Sequence, residues 1–296
     1  MTDDMEKPHM LALAEALLVT FLWSSSYVLI EIGLEQINPL AFAAYRYAFA
    51  AIILSVFLFY KNRKDLINLS LRRVLVFVIL GFAGYFIAQG LQFLGLYYLE
   101  PVTVSFLLNL TPIIVLVLSG LFLNERPKAI QLFGIALTSC GVFAFFYDTF
   151  GGLDIAGVLL TLISGVGWAS YMIISRHYLS QNRENVITLT TCSMVAGSVM
   201  LLGATTLTGN NVSLSFDSWL IIGWLSVANT AFAFALWNHA LKTLMVYEQS
   251  ILQNTMLIQV ALLSFVFLHD PLTLQKILGM GIVFIGVLVV QLGHKE

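Results

Sequence analysis

Charge is the scarcest feature of this sequence. Charged residues make up 10% of the chain and leave a formal net charge of -2, whereas roughly a quarter of the residues in a soluble domain are charged. Hydrophobic residues make up 59% of the chain, and its mean hydropathy is +0.91, which is more apolar surface than one soluble core can hide. A near-neutral chain also lacks the basic surface that nucleic acids require, so no nucleic-acid partner is expected. The composition therefore predicts a protein of the lipid bilayer.

Groups that carry chemistry are scarce as well. The two cysteines, Cys140 and Cys192, lie in apolar runs, where we interpret them as small core residues without a redox role. The sequence has no His-Glu-x-x-His motif, no pair of aspartates at mid-membrane and no Cys/His pairing. It therefore favours a protein that is not an enzyme and has neither a metal nor another cofactor. An intramembrane enzyme is the alternative from a different class of function.

Long apolar runs are what the chain has in abundance. A helix needs about 20 apolar residues to cross a bilayer. Runs of this kind lie at residues 10–32, 39–60, 74–98, 101–123, 128–147, 154–176, 186–208, 217–241, 246–268 and 273–292. The segments between them are short and polar. The sequence predicts an all-α integral membrane protein with ten transmembrane helices.

Positive charge predicts how these spans are oriented. With ten spans, every Lys and Arg except Arg46 and Lys276 falls on the side of the membrane where the N-terminus lies. Lysine and arginine concentrate in cytoplasmic loops. We therefore expect both termini in the cytoplasm and a multi-pass protein of the plasma (inner) membrane of a prokaryote.

The chain contains an internal repeat. Trp23 recurs 145 residues later as Trp168, and the same offset carries Asn109 onto Asn254. It also relates Leu96 to Leu241, Ser105 to Ser250, Gly134 to Gly279, Gly141 to Gly286 and Glu125 to Asp270. The unit has five helices, and an odd number of spans inverts the second copy in the membrane. The predicted domains are residues 1–148 and 149–296, with a substrate site near mid-membrane where the repeats meet.

The fourth and fifth spans carry a motif of their own. Asn-x-x-Pro occurs at Asn109 and Pro112, followed by Leu-x-Glu-Arg around Glu125 and by Gly-x6-Gly at Gly134 and Gly141. This pattern resembles the EamA-type repeat of the drug/metabolite transporter superfamily, and the resemblance covers the whole chain, once per repeat. It implies a transporter whose fifth and tenth helices are peripheral.

The second copy departs from that motif in two places. Leu257 replaces the proline, and Asp270-Pro271 replaces Glu-Arg. Because a proline inside a helix removes a backbone hydrogen bond, we expect a bend in the fourth helix and none in the ninth. Since Glu125 and Asp270 each precede a helix, we expect their carboxylates to cap the helix that follows.

Polar side chains recur at helical spacing in six of the spans. Each such residue costs free energy in the membrane unless it pairs, packs or meets water. Single contacts between helices would explain any one of them. Together they predict an aqueous cavity between helices one, three, four, six, eight and nine. Its predicted lining is Trp23, Ser26, Tyr85, Gln89, Gln92, Asn109, Trp168, Tyr171, Asn229, Trp237, Asn238, Gln253 and Asn254.

Ionisable residues inside the spans are candidates for coupling or gating. Glu15 in the first helix is a candidate proton site, with a hydrated carboxylate near the cytoplasm as the alternative. Glu31 and Arg46 are predicted to form an ion pair that closes the outer side. His239, near the inner end of the eighth helix, is either a proton relay or an interfacial histidine.

These features predict a secondary active transporter that works by alternating access. The solute is a small metabolite, with amino acids and especially aromatic ones favoured, or a drug-like compound, and the expected direction is export. Protons are the candidate coupling ion. An uncoupled facilitator of the same solutes is the alternative. The lipid bilayer is the other expected partner, and we expect a monomer or a weak homodimer.

Overall fold

The fold is a bundle of membrane-spanning helices. A computed structural model describes residues 3–34, 37–67, 69–99, 101–146, 154–209, 215–267 and 272–293. The helices are α1 (Asp3–Leu34), α2 (Pro39–Ile67), α3 (Leu71–Gly81, Phe82–Gly90 and Leu91–Tyr98), α4 (Pro101–Leu108 and Thr111–Phe122), α5 (Ala129–Phe146), α6 (Ile155–Ser180), α7 (Val186–Leu207), α8 (Phe216–Trp224, Leu225–Phe232 and Ala233–Leu241), α9 (Val246–Gln253 and Thr255–Phe267) and α10 (Leu274–Leu292).

The predicted spans are helical in the structure. Within the described residues, nine helical stretches are long and apolar enough to cross a membrane, and α5 is a shorter apolar helix. The chain is therefore an all-helical, multi-pass membrane protein. Alternate helices run in opposite directions. We call the face where α1 begins the N-terminal side and the other face the opposite side.

The two repeats pack in a symmetric way. The first helix of each repeat contacts the third and fourth helices of the other, so that α1 packs on α8 and α9 while α6 packs on α3 and α4. The second helices, α2 and α7, pair with each other, as do α5 and α10. This arrangement places α1, α3, α4, α6, α8 and α9 around the centre.

Glycine allows α5 and α10 to approach closely. A Cβ atom on Gly134 would lie 2.8 Å from the carbonyl oxygen of Gly286, and one on Gly141 would lie 2.9 Å from the carbonyl oxygen of Gly279. Real Cβ atoms do not approach so near. The repeated Gly-x6-Gly pairs therefore contact each other along one seam, away from the centre of the bundle.

Helices α4 and α9 both break, and they break at equivalent residues. The interruption in α4 falls at Asn109 and Leu110, and the one in α9 at Asn254. The expectation of an irregular helix in the first repeat alone is therefore wrong, because α9 is interrupted as well. Pro112 lies in the first turn of the new segment of α4, where a proline is well tolerated.

The asparagines account for the breaks better than the proline does. Asn109 Nδ2 donates to the carbonyl oxygen of Ser105 at 2.7 Å. The side chain thus competes with backbone N–H groups for this acceptor. Asn254 Nδ2 donates at 3.3 Å to the carbonyl oxygen of Asn109. The two breaks are thus bonded to each other, which compensates one of the backbone groups that the break in α4 sets free.

Helices α3 and α8 share a second irregularity. Each has a π-helical segment, Phe82–Gly90 in α3 and Leu225–Phe232 in α8. A π-helical turn holds more residues than an α-helical one, and such segments often occur at functional sites. Gln89 and Asn229 lie within these segments. The irregular backbone therefore faces the centre of the bundle in both repeats.

Candidate functional site

A cavity of about 120 Å³ lies where the two repeats meet. Residues of both repeats line it: Trp23, Ser26, Ile30, Arg46, Tyr47, Gln89, Gln92, Phe93, Leu96, Ser105, Leu108, Asn109, Thr111, Ser164, Trp168, Phe234, Gln253, Asn254 and Met256. The lining residues on α1 and α3 lie in the second half of their helices, which run toward the opposite side. The lining residues on α4 lie in the first half of that helix, which starts on the opposite side. The cavity therefore lies between mid-membrane and the opposite side.

Aromatic rings form the floor of the cavity. The Trp23 ring lies 5.8 Å from that of Trp168, 5.4 Å from that of Phe234 and 4.9 Å from that of Trp237. Trp168 also stacks on Tyr171, with centroids 5.3 Å apart. The indole nitrogens of Trp23 and Trp168 are both hydrogen-bonded. Trp23 Nε1 donates to the carbonyl oxygen of Asn229 at 3.0 Å, and Trp168 Nε1 donates to Gln253 Oε1 at 2.9 Å.

One cation faces this cavity. Arg46 is the charged member of the described lining, and only 4% of its surface is exposed. Its Nε donates to Thr230 Oγ1 at 2.7 Å, and one terminal nitrogen donates to the carbonyl oxygen of Asn229 at 3.3 Å. Both partners lie in the π-helical segment of α8. Arg46 thus joins α2 of the first repeat to α8 of the second.

The three serines of α1 have different partners. Ser26 lines the cavity and donates to the carbonyl oxygen of Trp23 at 2.6 Å. Ser24 faces α9, where it donates to Gln259 Oε1 at 2.9 Å. Ser25 donates to its own helix and accepts from Asn229 Nδ2 at 3.3 Å. One serine therefore belongs to the cavity wall and two join α1 to the second repeat.

The structure divides the predicted lining into two groups. Those on the wall are Trp23, Ser26, Gln89, Gln92, Asn109, Trp168, Gln253 and Asn254, together with the predicted gating residue Arg46. Five others are buried outside it, namely Tyr85, Tyr171, Asn229, Trp237 and Asn238.

Most of that buried group forms a polar chain below the aromatic floor, toward the N-terminal side. The hydroxyls of Tyr85 and Tyr171 lie 3.1 Å apart. Asn238 Nδ2 donates to the Tyr171 hydroxyl at 2.6 Å and to Thr190 Oγ1 at 2.9 Å. Trp237 packs beside this chain on α8, under Trp23. These groups are separated from the cavity in this state of the protein.

An ion pair closes the N-terminal side of the bundle. Arg176 Nε and Glu125 Oε1 lie 2.7 Å apart. Arg176 also donates to the carbonyl oxygens of Leu241 and Lys242 at 2.9 and 2.8 Å, while Glu125 Oε2 accepts from the backbone nitrogen of Val246 at 2.8 Å. The pair thus binds the end of α8 and the start of α9. We call these contacts the Arg176–Glu125 latch.

The latch corrects the predicted role of Glu125. Its carboxylate does cap a helix, but that helix is α9 of the second repeat and not α5, which follows it in sequence. Buried Glu248 caps the same helix start from within α9, because its Oε2 accepts from the Met245 nitrogen at 3.1 Å. Two carboxylates therefore bind the positive end of α9. Asp270, the counterpart of Glu125, lies outside the described residues.

Two other candidate ionisable residues meet at the N-terminal side. His239 Nδ1 lies 2.7 Å from Glu15 Oε2, and the Glu15 side chain is 14% exposed where that of His239 is 53% exposed. The contact joins α1 to the end of α8. The Glu31 side chain lies outside the described residues, so the predicted Glu31–Arg46 ion pair stays a prediction.

Several residues of the site were missed from the sequence. Tyr47, Phe93, Thr111 and Ser164 line the cavity, although no polar stripe marks them. The sequence alone identifies Arg176 only as a positive charge at the end of the predicted span 154–176. The repeat offset relates Phe93 to Asn238 and could have drawn attention to that position. No sequence signal relates Arg176 to Glu125, because their contact depends on how the two repeats dock.

The chain is similar to known transporters over most of its length. The sequence pattern described as the EamA-like transporter family matches residues 10–147 and 155–292. An uncharacterized transporter of Archaeoglobus fulgidus is 30% identical over 284 residues, which are 93% of this chain and 96% of the relative. A protein of Escherichia coli named "Probable amino-acid metabolite efflux pump" is 27% identical over 75% of either chain.

A solved crystal structure has the same fold. It is 16% identical to this chain, the TM-score is 0.81, and the match covers 95% of this chain and 96% of the other. At that identity the likeness concerns the fold alone. The two family matches are offset by the same 145 residues as the internal repeat. Because the sequence pattern of the EamA-like transporter family matches both halves of the chain, the chain belongs to that family.

Proposed function

We propose that this transporter is a secondary active exporter of small metabolites, working by alternating access. The observation that carries the proposal is the cavity between the repeats, with the Arg176–Glu125 latch on its N-terminal side. A site near mid-membrane at the interface of inverted repeats is the arrangement that secondary transporters use. We assign the N-terminal side to the cytoplasm of a prokaryotic cell and the membrane to its plasma membrane.

The lining supports amino acids as the solutes, and aromatic amino acids in particular. Trp23 and Trp168 offer aromatic faces, and the amides of Gln89, Gln92 and Asn109 offer donors and acceptors. Aromatic faces contribute up to about 2 kcal/mol to binding a desolvated cation such as an ammonium group. A single arginine is a poor match for a phosphorylated solute. The name of the Escherichia coli relative agrees with this substrate class.

Reconstitution into liposomes tests the proposal. Purified protein is incorporated into vesicles loaded with a panel of radiolabelled amino acids, and efflux is followed against protein-free vesicles. We expect efflux of at least one aromatic amino acid, recovered chemically unchanged by mass spectrometry. Chemical conversion of the solute would favour the intramembrane enzyme, and no movement of any solute in the panel would refute the proposed substrate class.

Coupling to protons is a separate part of the proposal. Glu15 and His239 form a partly hydrated pair on the side that we assign to the cytoplasm, where a carboxylate can exchange protons with water. We expect a pH gradient to accelerate efflux in the native protein and Glu15→Gln to remove that acceleration while efflux down a solute gradient persists. Equal rates with and without the pH gradient in the native protein would favour the uncoupled facilitator.

A further inference from the structure

A second set of residues is related to the cavity wall by the internal repeat. The family matches begin at residues 10 and 155 and end at residues 147 and 292, so every position has a counterpart 145 residues away. This offset carries Ser26 onto Tyr171 and Ile30 onto Ser175. It also carries Gln92 onto Trp237 and Phe93 onto Asn238. The counterparts of these four wall residues all lie in the second repeat.

These counterparts are buried outside the cavity, where Tyr171 and Trp237 contact the tryptophans of the aromatic floor. Tyr171, Ser175, Trp237 and Asn238 are each 0% exposed. Tyr171 and Ser175 come late in α6, and Trp237 and Asn238 come late in α8. Both helices end at the N-terminal side, so the four residues lie between mid-membrane and that side. Their placement mirrors that of the cavity wall, which lies toward the opposite side.

Two of the four carry a buried polar atom without a hydrogen bond. Trp237 Nε1 and Asn238 Oδ1 have no hydrogen-bond partner among the described residues. Ser175 is a neighbour of the Tyr171 hydroxyl. Unpaired buried polar atoms are rare in folded proteins, and each one calls for a reason. Contact with water or solute in another state of the protein would supply that reason.

We propose that Tyr171, Ser175, Trp237 and Asn238 form the wall of a second cavity, which opens to the N-terminal side when the two repeats exchange conformations. This proposal rests on the alternating-access function proposed above. Trp237 Nε1 is a free donor for a carboxylate or carbonyl oxygen, and Asn238 Oδ1 is a free acceptor for an ammonium or amide group. The aromatic rings beside them suit an apolar side chain. A small amphipathic solute with both kinds of polar group fits this set.

The symmetry does not extend to every wall residue. The counterparts of Arg46 and Tyr47 are Thr191 and Cys192, which line a separate apolar groove between α2, α3 and α7. Thr191 and Cys192 therefore do not belong to the proposed wall. The second cavity then lacks a counterpart of the Arg46 cation, and its recognition of solute depends on hydrogen bonds and aromatic contacts.

Opening of the second cavity requires the Arg176–Glu125 latch to release. Arg176 follows Ser175 directly in α6 and is bonded to the end of α8, the helix that carries Trp237 and Asn238. While the latch holds, α6 and α8 stay together and the four residues remain enclosed. Weakening the latch should therefore expose the second cavity without a change in any of its wall residues.

Cysteine accessibility tests this proposal. In a background carrying Cys140→Ala and Cys192→Ala, Ser175→Cys reports on the second cavity and Ser164→Cys reports on the present one. Each is introduced with and without Glu125→Gln. A membrane-impermeant, charged thiol reagent is then applied to vesicles of either orientation. We expect Glu125→Gln to speed labelling of Ser175→Cys from the N-terminal side about tenfold and to slow labelling of Ser164→Cys from the opposite side.

Two results would overturn the proposal. In one, Ser175→Cys stays unlabelled in the Glu125→Gln protein while Ser164→Cys still reacts. In the other, both positions become more reactive together, which means general loosening and not an exchange of conformations. If Glu125→Gln does not purify as a monodisperse protein, Arg176→Lys takes its place, because it weakens the same latch and the same two labelling rates decide.

The labelling experiment is independent of solute flux, so the two proposals can fail separately. Reciprocal changes in labelling without movement of any solute in the panel would support the second cavity and contradict the proposed transport function. Solute efflux without any change in labelling of Ser175→Cys would support transport and refute the second cavity.

Discussion

At the scale of single residues, Arg46 shows how a cation is kept within an apolar bundle. Its guanidinium reaches across the repeat interface to Thr230 Oγ1 and the carbonyl oxygen of Asn229. A planar, branched donor can bind both groups at once, whereas a lysine ammonium on a flexible stem is a single point of charge. The residue therefore stabilises the docking of the two repeats as well as facing the cavity.

Replacing that donor should weaken the fold. For Arg46→Lys we expect a loss of about 1.5–3 kcal/mol in the free energy of unfolding, the range for a hydrogen bond to a charged group. Thermal unfolding in detergent measures it. Arg126→Lys is the matched control, because Arg126 is exposed and surface substitutions change stability within about 0.5 kcal/mol. Equal effects of the two substitutions would contradict the assigned role of Arg46.

The indole nitrogen of Trp168 is held by Gln253 and so fixes the ring at the cavity floor. Trp168→Phe keeps an aromatic ring and removes this hydrogen bond, whose net contribution is about 0.5–1.5 kcal/mol. We expect the KM for efflux to rise two- to tenfold. Trp224→Phe serves as control because Trp224 is 61% exposed on the outer surface of α8. A KM unchanged by Trp168→Phe would exclude a role for this indole in binding.

The sequence could identify those residues of the site whose positions are marked by the repeat or by helical spacing. Trp23 and Trp168 were found because the repeat pairs them. Tyr85 and Asn238 also lie on polar helical stripes, yet both are buried in this structure. A stripe indicates which face of a helix turns inward. It does not indicate the depth at which the path is closed, because that depends on the conformation of the whole bundle.

At the scale of helices, the paired breaks in α4 and α9 matter most. Leu257 in α9 stands where α4 has Pro112, and both helices break one turn earlier, at Asn109 and Asn254. Proline is therefore not needed for a break at this position. From the sequence we assigned the bend to Pro112, although the asparagine that both copies share was visible in the same repeat.

If the asparagines cause the breaks, substitution of Asn254 should cost more stability than substitution of Pro112. Asn254→Leu removes the hydrogen bond to the Asn109 carbonyl, and we expect a loss of about 0.6–1.7 kcal/mol in stability together with slower efflux. Pro112→Leu reproduces the residue of the second repeat and should cost less. Unfolding in detergent and efflux rates compare the two proteins. A larger loss from Pro112→Leu would restore proline as the cause.

The seam between α5 and α10 depends on glycine at specific positions. A Cβ on Gly286 would contact Thr138 Oγ1 and would lie 2.6 Å from the Thr138 backbone nitrogen. We expect Gly286→Ala to destabilise the fold by about 1–3 kcal/mol through overpacking. Gly281→Ala on the same helix is the control, because no atom outside the helix lies within 4 Å of its Cβ position. Thermal unfolding of both variants should show a loss for the first alone.

At the scale of the whole molecule, the two residues of the Arg176–Glu125 latch are not matched by an arginine and an acid in the other repeat. The offset of 145 residues relates Arg176 to Glu31 and Glu125 to Asp270. In sequence, the counterparts of the latch arginine and glutamate are therefore two acids. If the repeats exchange conformations, we expect these two positions to form no equivalent of the Arg176–Glu125 latch. We therefore expect the state with the N-terminal side closed to be the more stable one.

Charge reversal at one position tests this inequality. Glu31→Arg supplies the mirror of Arg176, with Asp270 as the mirror of Glu125. We expect it to shift the protein toward the state closed on the opposite side, so that Ser164→Cys reacts more slowly and Ser175→Cys reacts faster. Glu31→Gln, which removes the negative charge without adding a positive one, should give a smaller shift. An effect of Glu31→Gln as large as that of Glu31→Arg would contradict the mirror pair.

The bond between the two helix breaks is not reciprocal. When two identical chains associate about a two-fold axis, a contact between one residue and its own copy is made twice, once in each direction. Asn254 Nδ2 donates to the Asn109 carbonyl oxygen, but Asn109 Nδ2 donates to Ser105 in its own helix. One direction of such a contact is therefore present and the other is not. The two repeats pack symmetrically as helices, yet the two equivalent asparagines have different partners, so substitutions at Asn109 and Asn254 are not expected to be equivalent.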